Sequence, residues 1–196
     1  NDCGGVTGCE IWKEKVMQLQ QTVKKNYTFE GKGLHTGKIA RMTVCPAPED
    51  TGIVFRRTDL GEDALVPALA ENVSNTARST TISSGNASVS TIEHILSALT
   101  GMGVDNAYID IDNVEVPILD GSAKPYIDAM WKDGFREQDA PRRYIEIKET
   151  IEIRNEEKGS LVRIEPADEF QYDIMVDFNS RVLGVHHAQW DPSVLY

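Results

Sequence analysis

The 196-residue sequence has no run of eighteen apolar residues, the length a membrane-spanning helix needs. Its first residues also lack the basic segment and apolar core of a secretory signal. The expected compartment is therefore the cytoplasm. Cysteine is scarce: Cys3, Cys9 and Cys45 are too few for a disulfide framework, and no C-x-x-C pair offers a thiolate metal site. They read as small inert hydrophobes. Basic charge is also in deficit, with 20 Lys and Arg against 31 Asp and Glu and a net charge of −11. That balance repels phosphate backbones and anionic lipid, and disfavours an RNA-binding module. It equally opposes an anionic small-molecule substrate unless local basic residues, or a contribution from elsewhere, offset it. No H-E-x-x-H occurs, so a self-contained peptidase zinc site is absent.

What is present is a chain of short strands interrupted by two helices. Residues 1–16 show no periodicity and read as an extension expected to be disordered, with Met17 as the natural start. Tyr27 and Phe29 alternate ahead of the glycine-punctuated turn Gly33-Leu34-His35-Thr36-Gly37. Strands are expected at Lys38–Cys45, Ile53–Phe55, Val66–Val73, Thr80–Ile82 and Ala107–Ile111. Ile92, Ile95, Leu96 and Leu99 form one buried stripe of a helix over Thr91–Thr100, stopped by Gly101 and Gly103. A second helix follows Asp120-Gly121-Ser122, with Ala123, Tyr126, Ile127, Met130 and Trp131 on one face and Gly134 at its end.

This pattern predicts an α+β fold, a two-layer sandwich of a mixed, mostly antiparallel sheet with two helices. Arg136–Arg143, charged and carrying Pro141, reads as a linker. Beyond it, strands at Tyr144–Arg154, Leu161–Ile164 and Ile174–Phe178 loosely repeat the order glycine, strand, Pro-Ala, acidic turn, strand. The domain expectation is thus an extension at 1–16, a first domain at 17–141 and the truncated beginning of a second, similar domain at 142–196.

The chemistry concentrates in Ser90-Thr91-Ile92-Glu93-His94. With the Ile and Leu stripe inward, His94 projects nearly opposite the core from a helix N-terminus, where the dipole disfavours the imidazolium and keeps the ring able to ligate a metal. An outward histidine can equally be merely solvated. Glu93 has two readings as well: a reactive carboxylate, or the fourth residue of a Ser90-x-x-Glu93 capping box. His186-His187 resembles a metal pair, but neighbours on a strand point to opposite faces.

Gly33–Gly37, Phe55-Arg56-Arg57-Thr58-Asp59-Leu60, Ser90–His94, Gly103-Val104-Asp105-Asn106 and Pro117-Ile118-Leu119-Asp120-Gly121-Ser122-Ala123 resemble, in order and spacing, motifs of the zinc-dependent UDP-3-O-acyl-N-acetylglucosamine deacetylases of lipid A biosynthesis. The resemblance runs from Met17 to about Phe178. It implies a cytoplasmic amidohydrolase that splits the N-acetyl group from the sugar, giving acetate and a free amine. It makes His94 one of three zinc ligands, Glu93 the general base, and Leu34, Ser79 and Thr80 positions lining the substrate cleft. A catalytic zinc with three protein ligands and an open position lowers the pKa of water and polarises an amide carbonyl.

His35 and Asp120-Gly121-Ser122 read as turn and cap residues. The family's remaining two ligands, a histidine and an aspartate four residues apart on a helix, are expected to be missing, since nothing after Phe178 reads as such a helix. The chain is accordingly expected to be inactive alone. A non-catalytic association module of the same fold is the alternative, and a metal titration separates the two.

Overall fold

The structure, a computed structural model, describes residues 18–190. The expected extension at 1–16 lies outside the described residues. The chain divides into two compact units at Arg142 and Arg143.

In the first unit the elements are β1 (Leu19–Val23), β2 (Tyr27–Lys32), β3 (Ile39–Pro46), β4 (Ile53–Arg57), β5 (Leu65–Pro67), β6 (Val73–Asn75), β7 (Thr81–Ser84), β8 (Ala87–Ser90), α1 (Glu93–Gly101), β9 (Ala107–Ile111), α2 (Lys124–Met130) and β10 (Phe135–Pro141). Five strands form a sheet in the order β2-β3-β9-β4-β5. Every pairing in it is antiparallel except β4 with β9. Parallel neighbours need a long crossover, and here that crossover carries β5 to β8 and α1. The alternation in β9 sets its two faces: Ile109 and Ile111 are buried, while Asp110 turns away to an ion pair with Arg56.

Met42, Val44, Phe55 and Ile109 from the inner face of the sheet join Ile95, Ala98 and Leu99 of α1 and Tyr126 and Met130 of α2 in one core cluster. The fold is α+β. Each such fully buried side chain contributes roughly 1.5–3 kcal/mol relative to exposure. Phe29 meets Tyr126 edge to face at 4.9 Å, and the Tyr126 hydroxyl donates to the Pro117 carbonyl at 2.7 Å.

Several sequence-based expectations need correction. Leu96 is only partly buried, so the stripe of α1 is carried by Ile95, Ala98 and Leu99. Trp131 is 63% exposed. It begins a 3-10 turn, Trp131–Asp133, whose tighter winding carries it off the face of α2. The expected strand Val66–Val73 is broken after Pro67 by a 3-10 turn at Ala70–Asn72, where the Asn72 amide donates to the Pro67 carbonyl at 2.9 Å.

Arg136–Arg143 is mostly strand rather than linker. β10 pairs antiparallel with β1, and its Gln138 is buried. A charged, proline-bearing segment can do this because its buried polar group is fully satisfied. Asn106 donates to both Gln20 at 2.7 Å and Gln138 at 2.9 Å, and Gln138 donates to the Ala47 carbonyl at 3.0 Å. Neighbouring Asp105 accepts from the Gln21 amide at 2.8 Å and pairs with Arg142. The Gly103–Asn106 motif is thereby explained as the tie between β1, β10 and the sheet.

The second unit contains two antiparallel hairpins: β11 (Ile151–Asn155) with β12 (Ser160–Ile164), and β13 (Tyr172–Asp177) with β14 (Val185–Trp190). The strand expected from Tyr144 starts only at Ile151. Ile145, at 91% exposure, lies outside every ladder described.

Candidate functional site

The strands leading into α1 prepare its first turn. β6, β7 and β8 form a small antiparallel sheet, β7 and β8 joined by a turn at Gly85-Asn86. β8 had no counterpart among the expected strands, although Gly-Asn between two short alternating runs is a hairpin signal. Arg57, itself buried, pairs with Asp59 and donates to the Ser88 carbonyl at 2.6 Å, tying the end of β4 to β8. The ion pair with Arg57 holds Asp59 below the usual aspartate range. Those contacts account for the arginine and aspartate of the Phe55–Leu60 motif.

After β8 the chain turns through Thr91, a β-branched residue at φ 59°, before α1 begins at Glu93. The capping-box reading of Glu93 is not what forms. The Ser90 N–H donates to the Val114 carbonyl at 2.8 Å, leaving no N–H there for Glu93 to cap. Instead Glu93 Oε2 accepts from the Thr80 N–H at 3.1 Å. Two residues chosen separately from the sequence, Glu93 and Thr80, are brought together by this bond. Thr80 lies in the loop just before β7 rather than on the strand, with Ser79 beside it, and both are partly buried. His94, next to Glu93 in the first turn of α1, is partly buried rather than fully outward. Leu34 is 58% exposed at the tip of the Gly33–Gly37 turn.

One residue of this region was missed altogether. Glu115 is 1% exposed, yet it carries a carboxylate. Its Oε1 accepts from the His35 N–H at 2.9 Å and the Thr91 hydroxyl at 3.0 Å, and its Oε2 accepts from the Thr36 N–H at 2.8 Å. Burial pushes its pKa up, but the His35 and Thr36 amides and the two threonine hydroxyls outweigh that, and the net direction is below the usual glutamate value. The signal available in the sequence was a lone charge in the apolar run Val114-Glu115-Val116-Pro117-Ile118-Leu119.

The turn reading of Asp120-Gly121-Ser122 matches the geometry. Asp120 Oδ1 accepts from both the N–H and the hydroxyl of Ser122 at 2.9 Å, and Ser122 Oγ accepts from the Lys124 N–H at 3.2 Å. His186 and His187 do part to separate partners on β14: the ring of His187 bonds Asp173 at 2.7 Å, and His186 lies edge-on to Phe178. A histidine and an aspartate four apart do occur in the sequence, at His187 and Asp191, which corrects the expectation that the spacing is missing. His187, however, lies on a strand, and Asp191 is outside the described residues. Among the described residues no three His, Cys, Asp or Glu side chains converge on a metal-sized site, and no helix is long and apolar enough to cross a membrane.

An α+β scaffold that presents a carboxylate and an imidazole side by side at a helix start, next to an anchored loop, is the architecture with which known proteins were compared. The profile of the LpxC family, UDP-3-O-acyl N-acetylglycosamine deacetylase, matches residues 20–194, and the chain belongs to that family. It is 46% identical over 172 residues to a bifunctional enzyme LpxC/FabZ of Porphyromonas gingivalis, covering 88% of this chain and 37% of that protein. It is 42% identical to the UDP-3-O-acyl-N-acetylglucosamine deacetylase of Thioalkalivibrio sulfidiphilus, covering 89% of this chain and 58% of the other. A deacetylase of the same name from Pseudomonas entomophila is 43% identical, with 85% and 54% covered. The chain thus spans between about a third and six tenths of the length of these relatives.

Proposed function

We propose that this chain carries the general-base side of a zinc-dependent deacetylase acting on UDP-3-O-acyl-N-acetylglucosamine, with acetate and UDP-3-O-acyl-glucosamine as products. The observation that carries the reading is the bond from the Thr80 N–H to Glu93 Oε2. It takes Glu93 out of helix capping, fixes its carboxylate beside the Ser79-Thr80 loop, and leaves Oε1 to accept a proton. Amide hydrolysis needs that: water adds to the acetyl carbonyl as Glu93 takes its proton, the C–N bond breaks, and the proton passes to the departing sugar nitrogen. Leu34, Ser79 and Thr80 are proposed to contact the substrate around this point.

The residues present fit one corner of a zinc site. His94 offers an imidazole on the first turn of α1, adjacent to the proposed base. When bound, zinc would supply a Lewis acid that polarises the acetyl carbonyl and makes water easier to deprotonate. With one assigned ligand of the three such a site normally has, the isolated chain is expected to hold zinc weakly and to be inactive alone. The second unit is proposed as the opening strands of a further α+β domain, on the repeated order of glycine, strand, Pro-Ala and strand, and the cytoplasm is the proposed compartment.

The test is made in the complete natural protein that contains this segment. Glu93→Gln should lower kcat by about 10² to 10⁴ while zinc content holds, and His94→Ala should lower the zinc content itself. Wild-type kcat in a folded Glu93→Gln protein would sink the reading.

A further inference from the structure

We infer that Glu115 is a positioning residue for this site, a buried carboxylate that locks the Leu34 turn and the start of α1 to each other. The inference rests on the proposed role of Glu93 and His94.

Three observations carry it. First, the contacts are divided between two elements far apart in sequence: the His35 and Thr36 amides at 2.9 and 2.8 Å on one side, and the Thr91 hydroxyl at 3.0 Å on the other. Second, the turn is built around this carboxylate. A Cβ at Gly33 would stand 2.3 Å from Glu115 Oε2, so the close approach, rather than a special backbone angle, is what demands glycine there. Third, Thr91 holds φ 59°, a strained conformation that a β-branched residue keeps only where its surroundings impose it. Those surroundings are identifiable: Ser90 is clamped by the Val114 carbonyl at 2.8 Å and the Val116 N–H at 3.1 Å, on either side of Glu115, whose carboxylate takes the Thr91 hydroxyl.

Glu93 and His94 begin two residues after Thr91, so the direction in which α1 presents them is fixed by the same anchor. Charge-assisted bonds to a desolvated carboxylate are stronger and more directional than neutral ones, which suits a device that must hold two backbones in register. Glutamine at this position would keep one acceptor but turn an NH2 group toward an amide donor. It would therefore loosen one side of the lock without removing bulk.

The experiment uses the complete natural protein and four variants: Glu115→Gln, Thr91→Ala, Thr91→Ser and, as a control on the site itself, Glu93→Gln. Folded Glu115→Gln should lose about 10- to 100-fold in kcat/KM, the usual effect of removing a group that orients a reacting one. Hydrogen-exchange protection should fall at 33–37 and at 91–96 together. Thr91→Ala should lower kcat with KM within about twofold, since only the helix side is released, and Thr91→Ser should restore it, because the hydroxyl rather than the methyl is the link.

A purely structural Glu115 would lower Tm yet leave the folded fraction with wild-type kcat and KM, and would make the alanine and serine variants alike. That outcome, with Glu93→Gln inactive, overturns the inference. If Glu93→Gln is itself fully active, the site reading has failed separately, and unchanged exchange at both segments in Glu115→Gln then overturns the lock as well. Should Glu115→Gln not fold, the Thr91 pair decides.

Discussion

The two units use the same kind of sequence and bury it very differently. In the first, strands such as β3 and β9 alternate apolar and polar residues, and the apolar set lies under two helices, with Met42, Ile109 and Tyr126 fully enclosed. In the second, β11 alternates just as plainly and β13 carries the apolar run Ile174-Met175-Val176, yet Ile153 is 67% and Met175 72% exposed. A strand specifies which residues share a face, but burial needs a second layer to lie on that face, and among the described residues only those of the first unit supply one. Alternation is thus a statement about geometry, whereas stability comes from the layer it meets.

The sharpest way to break this contrast is mutation of the core. Phe55→Ala should destabilise by about 3–5 kcal/mol, and Ile153→Ala by less than about 0.5 kcal/mol, as read from urea midpoints. Comparable losses would mean that β11 is packed against something in solution. Two glycines give an intermediate effect for different reasons. Gly33→Ala forces a methyl against the Glu115 carboxylate and should cost about 1–3 kcal/mol. Gly159→Ala, in the turn between β11 and β12 at φ 62° with open space around it, should cost only about 1–2 kcal/mol, from backbone conformation alone. A tolerated Gly33→Ala would show that the turn can move away from Glu115.

The smallest expected effect is on the pH dependence of stability. Glu115 has its pKa lowered on folding, so its contribution is present above the unfolded value near 4.5 and is lost as pH falls through the lower folded value. As pH falls below about 4.5 the stability of the first unit should decline along this path, and Glu115→Gln should flatten the decline. Asp59, held down by Arg57, adds to it in the same direction. An unchanged slope in Glu115→Gln would mean that the carboxylate is already ordered in the unfolded chain or protonated in the folded one.

Local periodicity was enough to read the two helices, the alternation of β9 and the turn at Asp120-Gly121-Ser122, because each is decided by neighbours within a few residues. Neighbours in sequence also singled out Glu93 and His94, whereas Leu34, Ser79 and Thr80 came only from the family resemblance. What the Glu93 carboxylate does was beyond their reach. A capping box and a bond to Thr80 are equally compatible with the spacing, and the choice fell to the Val114 carbonyl, which takes the Ser90 N–H from 24 residues away. Arg136–Arg143 misled for the same reason: its polarity looks like a linker until Asn106 and Ala47 satisfy Gln138.

The sequence alone therefore determined the α+β class and part of the core stripes, Ile95, Leu99, Tyr126 and Met130, since both follow from the short-range periods of strand and helix. Only the tertiary structure decided that Glu93 is held by Thr80 and that Glu115 joins the Leu34 turn to the start of α1. A buried carboxylate keeps its charge only where donors converge on it, and those donors, His35, Thr36 and Thr91, come from parts of the chain that meet only when it folds.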